Sequence, residues 1–199
     1  MNFLAHIYLS GDSDELKIGN FVGDYVKGRD YEKYPLQIKN GIILHRNIDS
    51  YTDNHPVVKL SKAHFITRYH KFSGVIVDIL YDHFLAKDWD RFSDQPLHEF
   101  LQDFHQLIIE HSDILPIGVK SILPFFILDN WVDTYLTIEG IEKIFILMSK
   151  NTSLPYENNY AVEVLKNNYE ALRKEFYEFF PQIIKYVEEK NQIKIRGLH

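Results

Sequence analysis

Apolar residues in this chain recur every three or four positions, with no persuasive stretch of strict alternation. Leu97, Leu101, Phe104 and Ile108 show the pattern, and "SGVIVDILYDHFLAK" at 73–87 is a strongly apolar version of it. Such spacing lines one face of a helix, whereas a half-buried strand alternates. There is no internal repeat and no linker-like stretch. The 199 residues are therefore expected to form one all-α domain, a helical bundle spanning 1–199. Helices are expected over about 16–26, 36–52, from Pro56, 73–87, 96–111, 138–149 and 161–180. A short segment at 2–9 precedes them, and 11–15 reads as a loop. Pro116 and Pro124 are expected to break the next region, which continues through Trp131 to about Tyr135, and Pro181 to interrupt the last long helix. The terminal "KIRGLH" reads as a loose tail.

Composition removes several chemistries. The chain has no cysteine, which excludes disulfides, thiolate metal sites and cysteine nucleophiles. A formal net charge of −6 argues against nucleic-acid binding by bulk charge. No apolar run reaches the roughly 18 residues of a transmembrane helix, so no membrane association is expected. The opening "MNFLAHIYLSGDSDE" lacks the basic region of a signal peptide, and a cytoplasmic location is expected. Walker-type, G-x-G-x-x-G and G-x-S-x-G patterns are missing, as are the Glu-x-x-His pairs of a ferritin-like di-iron site.

The informative residues are polar groups on apolar faces. In "GIILHRNIDSYTDNHP" (41–56), a helix places Asp49 about 40° from His45, in the sector of Ile38 and Ile42. His45 and Asp49 thus look inward, either as a core histidine held by its i,i+4 aspartate or as ligands. Buried carboxylates need compensation, from Arg46 or from a metal ion. The helix 73–87 repeats the theme with Asp78 and Asp82 at i,i+4 and His83 beside Asp82. Asn20 and Asp24 form a third i,i+4 pair on a helix flanked by glycines, and His6 sits in "NFLAH". Nitrogen and oxygen donors without sulfur suit Mn²⁺, Mg²⁺, Fe²⁺ or Zn²⁺. Such a set on a helical scaffold suits metal-assisted phosphoester hydrolysis.

"MNFLAHIYLS", "IGNFVGDYVKG", "GIILHRNIDSYTDNHP" and "YDHFLAKDW" together resemble the acyl carrier protein phosphodiesterases. "GIEKIFILMSK" and "NNYEALRKEFYEFFPQI" extend the likeness, collinearly, over nearly the whole chain. That family is similar to divergent HD-type metal-dependent phosphohydrolases, which implies a divergent HD-like helical fold. The resemblance implies hydrolysis of the phosphodiester joining 4′-phosphopantetheine to a serine of holo-acyl carrier protein. It also implies a divalent cofactor, Mn²⁺ above all, with Mg²⁺ or Fe²⁺ as alternatives. One departure from the HD pattern is that the adjacent pair here is Asp82-His83, whereas His45 is followed by Arg46.

On this resemblance the expected metal shell is Asp24, His45, Asp82 and His83, with Asp78 and Asn20 supporting it. Asp24, His6, Arg46 and Asp49 are the expected catalytic groups. Among them, His6 would protonate the leaving serine alkoxide and Arg46 would bind a phosphoryl oxygen or pair with Asp49 or Asp53. Carrier proteins are typically acidic, so the acid-free stretch "KLSKAHFITRYHK" (59–71), with Lys59, Lys62, Arg68 and Lys71, is the expected docking surface. The competing readings are an HD-like hydrolase of nucleotides or other small phosphoesters and a non-enzymatic helical binding module.

Overall fold

A computed structural model describes the backbone of residues 1–128 and 131–195, and the side chains of these residues apart from 122, 124–128 and 131–132. Every regular element among the described residues is helical: α1 (Phe3–Tyr8), α2 (Asp14–Val22), α3 (Leu36–Asn54), α4 (Pro56–Ala63), α5 (Ile66–Tyr69), α6 (Ser73–Lys87), α7 (Leu97–Glu110), α8 (Ile117–Leu128), α9 (Trp131–Tyr135), α10 (Ile138–Asn151), α11 (Asn158–Asn167) and α12 (Tyr169–Asn191). Short 3-10 turns join some of them, including Gly23–Tyr25 directly after α2. Among the described residues, no helix is long and apolar enough to cross a membrane.

The central element is α6. Ile76, Val77, Ile79, Leu80, Tyr81, Phe84 and Leu85 are all buried, so its apolar surface runs right round the helix. A helix of this kind belongs inside a bundle. Its aromatic residues meet those of α12: Tyr81 packs edge-on to Phe176 at 5.4 Å between ring centres, and Phe84 lies 5.9 Å from Phe176. Each such ring contributes the large apolar area that dominates core energetics.

A close helix contact lies between α2 and α3, and glycine makes it possible. A Cβ on Gly19 would fall 2.1 Å from the Ile38 carbonyl oxygen, and one on Gly41 would fall 2.5 Å from the Leu16 carbonyl oxygen. The two backbones touch at this crossing. It brings Asn20, which follows Gly19, beside His45, one turn after Gly41. The start of α2 is set locally: the Ser13 hydroxyl accepts a hydrogen bond from the Leu16 N–H at 3.3 Å, and Asp14 and Glu15 complement the helix dipole.

Two expected breaks do not occur. Pro124 lies within α8. Pro181 lies inside α12, and the chain changes helix earlier, at Asn168. Pro181 is exposed, while Phe179, Phe180, Ile183 and Val187 carry the buried face past it. The proline costs about 3 kcal/mol, which burial of side chains worth about 1.5–3 kcal/mol each outweighs. The tail assigned to 194–199 falls, from 196 onward, outside the described residues.

Candidate metal centre

Two buried imidazoles stack where α1, α2 and α3 meet. His6 and His45 are 4% and 5% exposed, and their ring centres lie 4.1 Å apart at 18°. One residue orients both. The Asn20 carboxamide nitrogen donates to the His6 carbonyl at 2.7 Å and to Ser10 Oγ at 2.9 Å. Its Oδ1 is therefore the atom facing His6 Nδ1, at 2.7 Å, and His6 Nδ1 must be the donor. The main-chain oxygen of the same Asn20 accepts from His45 Nδ1 at 2.8 Å. Both rings thus carry their fixed proton on Nδ1 and turn Nε2 toward one common point. Gly23 makes the space, since a Cβ there would lie 2.3 Å from His45 Cγ.

Two carboxylates face these nitrogens. Asp49 Oδ1 lies 3.2 Å from His6 Nε2, and Asp49 Oδ2 lies 3.1 Å from His45 Nε2. Asp24 Oδ1 is 3.3 Å from His45 Nε2, and its side chain is 68% exposed, so the group opens to solvent on that side. Neither Nε2 forms a hydrogen bond of acceptable geometry, although both atoms are buried. They are close approaches of carboxylate oxygen to imidazole nitrogen. Donor atoms of His6, His45 and Asp49 all lie within 4.8 Å of one another. Buried imidazole nitrogens without a hydrogen bond, oriented by hydrogen bonds on their far side, are what a nitrogen- and oxygen-ligated cation requires.

Electrostatics agree with this geometry. Burial lowers the His45 pKa, but the Asp24 and Asp49 carboxylates more than offset it and lift the value to about 9. His6 moves the other way, lowered by burial and by the charge of His45 stacked on it. Asp49 is held far below the usual carboxylate range: burial raises it, and His45 and His6 outweigh that. Asp24 is lowered chiefly by His45. Without metal, one proton sits among two imidazoles and two carboxylates, at the point where a cation would replace it.

The structure does not bring Asp82 and His83 to this point. Asp82 is fully buried, and its carboxylate accepts the N–H groups of Leu4 and Ala5 at 2.8 and 3.2 Å, holding the N-terminus of α1. Burial raises its pKa to about 7 against the pull of those two donors. His83 bonds the Tyr135 carbonyl at 2.5 Å and the Tyr169 hydroxyl at 3.0 Å, and both ring nitrogens are occupied there. Because α6 is buried all round, a polar residue on it can meet any of several neighbours. Arg46 also differs from expectation. Its guanidinium donates to the Val26 carbonyl at 2.8 Å and lies 4.9 Å from the Tyr31 ring centre, where a pair with Asp49 or Asp53 was the alternative. Asp53 instead binds Lys62 at 2.6 Å. Asp78 lies 2.9 Å from the Met1 nitrogen, near the cluster but outside it. His6 has Nδ1 on Asn20 Oδ1 and Nε2 3.2 Å from Asp49 Oδ1. The glycines at 19, 23 and 41 were the available signal for which residues converge.

A cleft of about 500 Å³ opens beside the cluster. Asp24, Asp49, Lys62 and Lys71 are among its lining residues. Of the four expected docking residues, Lys59, Arg68 and Lys71 are exposed, Arg68 lying 3.9 Å from Glu157. Lys62 is tied back by Asp53.

The family model described as acyl carrier protein phosphodiesterase matches residues 1–183. The chain is similar to an acyl carrier protein phosphodiesterase of Yersinia pestis, 29% identical over 191 residues, which are 96% of this chain and 99% of that one. It is likewise similar to one of Enterobacter sp. (strain 638), 29% identical over 193 residues with the same coverage. A third, from Salmonella agona (strain SL483), is 28% identical over 185 residues, 92% of this chain and 96% of the relative. No solved structure matches the chain.

Proposed function

We propose a metal-dependent route to the hydrolysis of holo-acyl carrier protein, because this chain belongs to the acyl carrier protein phosphodiesterase family and carries a cation-ready cluster. The bond cut is the phosphodiester between 4′-phosphopantetheine and the carrier serine, giving apo-carrier and free 4′-phosphopantetheine. The observation that carries the metal assignment is the pair of buried Nε2 atoms on His6 and His45, unbonded and facing Asp49. His6, His45 and Asp49 hold the ion in this reading, and Asp24 closes the open side. Mn²⁺ is the first choice, with Mg²⁺ or Fe²⁺ as alternatives, since the donors are nitrogen and oxygen only. When bound, a divalent ion neutralises a phosphoryl oxygen and lowers the pKa of water.

The residues of the chain do the rest. Asn20 fixes both imidazoles by their Nδ1 atoms. Asp24, exposed at the edge of the cluster, takes the proton of the attacking water and returns it to the departing serine oxygen. The acidic carrier docks on the outer basic surface of Lys59, Arg68 and Lys71, with Lys62 at the cleft wall. Leu60 and Ile66, 60% and 55% exposed, add apolar area between these cations. A cytoplasmic setting fits such a substrate. The test is incubation of the protein with holo-acyl carrier protein, with and without added Mn²⁺ after chelation, and the intact mass of the carrier. Loss of the phosphopantetheine mass only with the ion is expected; equal cleavage by the fully chelated protein sinks the metal assignment.

A further inference from the structure

The substrate of the proposed reaction is divided at phosphorus. One side is a folded protein, which must meet a surface. The other is a flexible small-molecule arm with a hydroxyl, amides and methyl-bearing carbon, which suits a concave, mixed-polarity site. The cleft beside the cluster has that character. Its volume of about 500 Å³ falls in the range of about 300–1,000 Å³ typical of small-molecule sites. Asp24 and Asp49 of the cluster line it, together with Val75, Ile79, Met148, Thr52, Lys62 and Asp78.

Thr52 is the decisive residue. It lies three positions after Asp49 on α3, so the two share a helix face about 5 Å apart. Thr52 is 1% exposed, and its Oγ1 is buried without a hydrogen-bond partner among the described groups. A hydroxyl left this way costs the free protein stability, which makes a ligand partner worthwhile. The lining also includes a strained turn: His70 has φ 47° and ψ −121°, and its carbonyl accepts Ser73 Oγ at 2.8 Å. Strain of this kind clusters at ligand-binding walls.

We infer that this cleft seats the 4′-phosphopantetheine arm, with Thr52 Oγ1 bonding the arm's hydroxyl or first amide and Val75, Ile79 and Met148 packing on its carbon atoms. The inference rests on the carrier-phosphodiesterase reading and adds the binding site for the non-protein half of the substrate. The carrier itself stays outside, on the rim.

Thr52→Val tests it, because the two roles of the hydroxyl have opposite signs. Removing an unpartnered buried hydroxyl raises the melting temperature, while removing an arm contact weakens binding. Titration of Mn²⁺-loaded protein with free 4′-phosphopantetheine is expected to show affinity about three- to tenfold lower in Thr52→Val, with inorganic phosphate bound as in wild type. Val75→Trp, which fills the cleft, is expected to lower 4′-phosphopantetheine affinity at least tenfold while keeping helical content and Mn²⁺ affinity. Equal affinity of wild type for 4′-phosphopantetheine and inorganic phosphate overturns the inference. So does unchanged 4′-phosphopantetheine binding in both variants. Cleavage of holo-carrier by wild type is scored separately: its absence removes the functional reading, whereas cleavage with an indifferent cleft removes this inference alone.

Discussion

Asn20 orients both imidazoles of the candidate centre from their far side. Its carboxamide and its carbonyl each take one imidazole Nδ1–H, so one residue sets two tautomers. Groups that orient ligands in this way typically contribute about 10- to 100-fold in metal affinity. Asn20→Ala is expected to weaken Mn²⁺ binding by that amount, measured by titration calorimetry. His45 adds a pH dependence with a definite sign. Its folded pKa of about 9 exceeds the ordinary value of 6.5. In metal-free protein its contribution, about 3 kcal/mol, is full below pH 6.5 and is lost as pH rises through about 9. Mn²⁺ must displace that proton, so affinity should climb between pH 6.5 and 9 as metal-free stability falls. Urea unfolding and Mn²⁺ titration across this interval check both trends, and a His45→Gln variant should lose this contribution to each.

At the scale of helices, the site depends on backbones that touch. Gly41→Ala would drive a methyl to within 2.5 Å of the Leu16 carbonyl, and Gly23→Ala would place one 2.3 Å from the His45 ring. The first separates α2 from α3, with overpacking costs of about 1–3 kcal/mol. The second presses on the ring and Cβ of His45, a side chain, where the first presses on backbone. Gly23→Ala is therefore expected to lose Mn²⁺ binding with a smaller fall in melting temperature than Gly41→Ala; the reverse order contradicts this packing account. Asp82 gives the complementary contrast. Asp82→Ala leaves two buried N–H groups of α1 without acceptors, each worth about 1–3 kcal/mol. It should lower the melting temperature strongly and reduce Mn²⁺ affinity through a loosened His6. His45→Ala should abolish Mn²⁺ binding with a milder thermal effect.

For the whole molecule, the proposed docking surface is tested through its charge. The formal charge is −6, yet residues 59–71 carry Lys59, Lys62, Arg68 and Lys71 without an acid. Exposed charges act mainly on encounter, and salt screens them beyond about 8 Å at physiological ionic strength. Combined Lys59→Glu, Arg68→Glu and Lys71→Glu substitution is expected to slow holo-carrier cleavage at low salt, with the wild-type advantage shrinking as salt is added. Mn²⁺ affinity should hold. Carrier cleavage equal to wild type at low salt moves the docking surface elsewhere.

Much was legible along the chain. The 3.6-residue period specified an all-helical protein, and α6 begins and ends at Ser73 and Lys87 as the pattern predicts. Four quoted segments carried the family resemblance, and family membership followed from it. His45 and Asp49 are one turn apart, so their meeting was a property of a single helix. Helix breaks were less legible, because Pro181 could be tolerated only once its solvent-facing position was known. The second imidazole was less legible still. His6 and His83 both sit on apolar backgrounds, and an angle on a helix gives a direction but not the neighbour found there. The glycine crossing of α2 and α3 set Asn20 between His6 and His45, while Tyr135 and Tyr169 captured His83. Sequence by itself determined the helical class, the family and the His45–Asp49 pair, because those depend on local periodicity and linear motifs. Only the tertiary structure decided that His6 completes the cluster and that Asp82 holds a helix end, because ligands from separate helices converge through backbone packing.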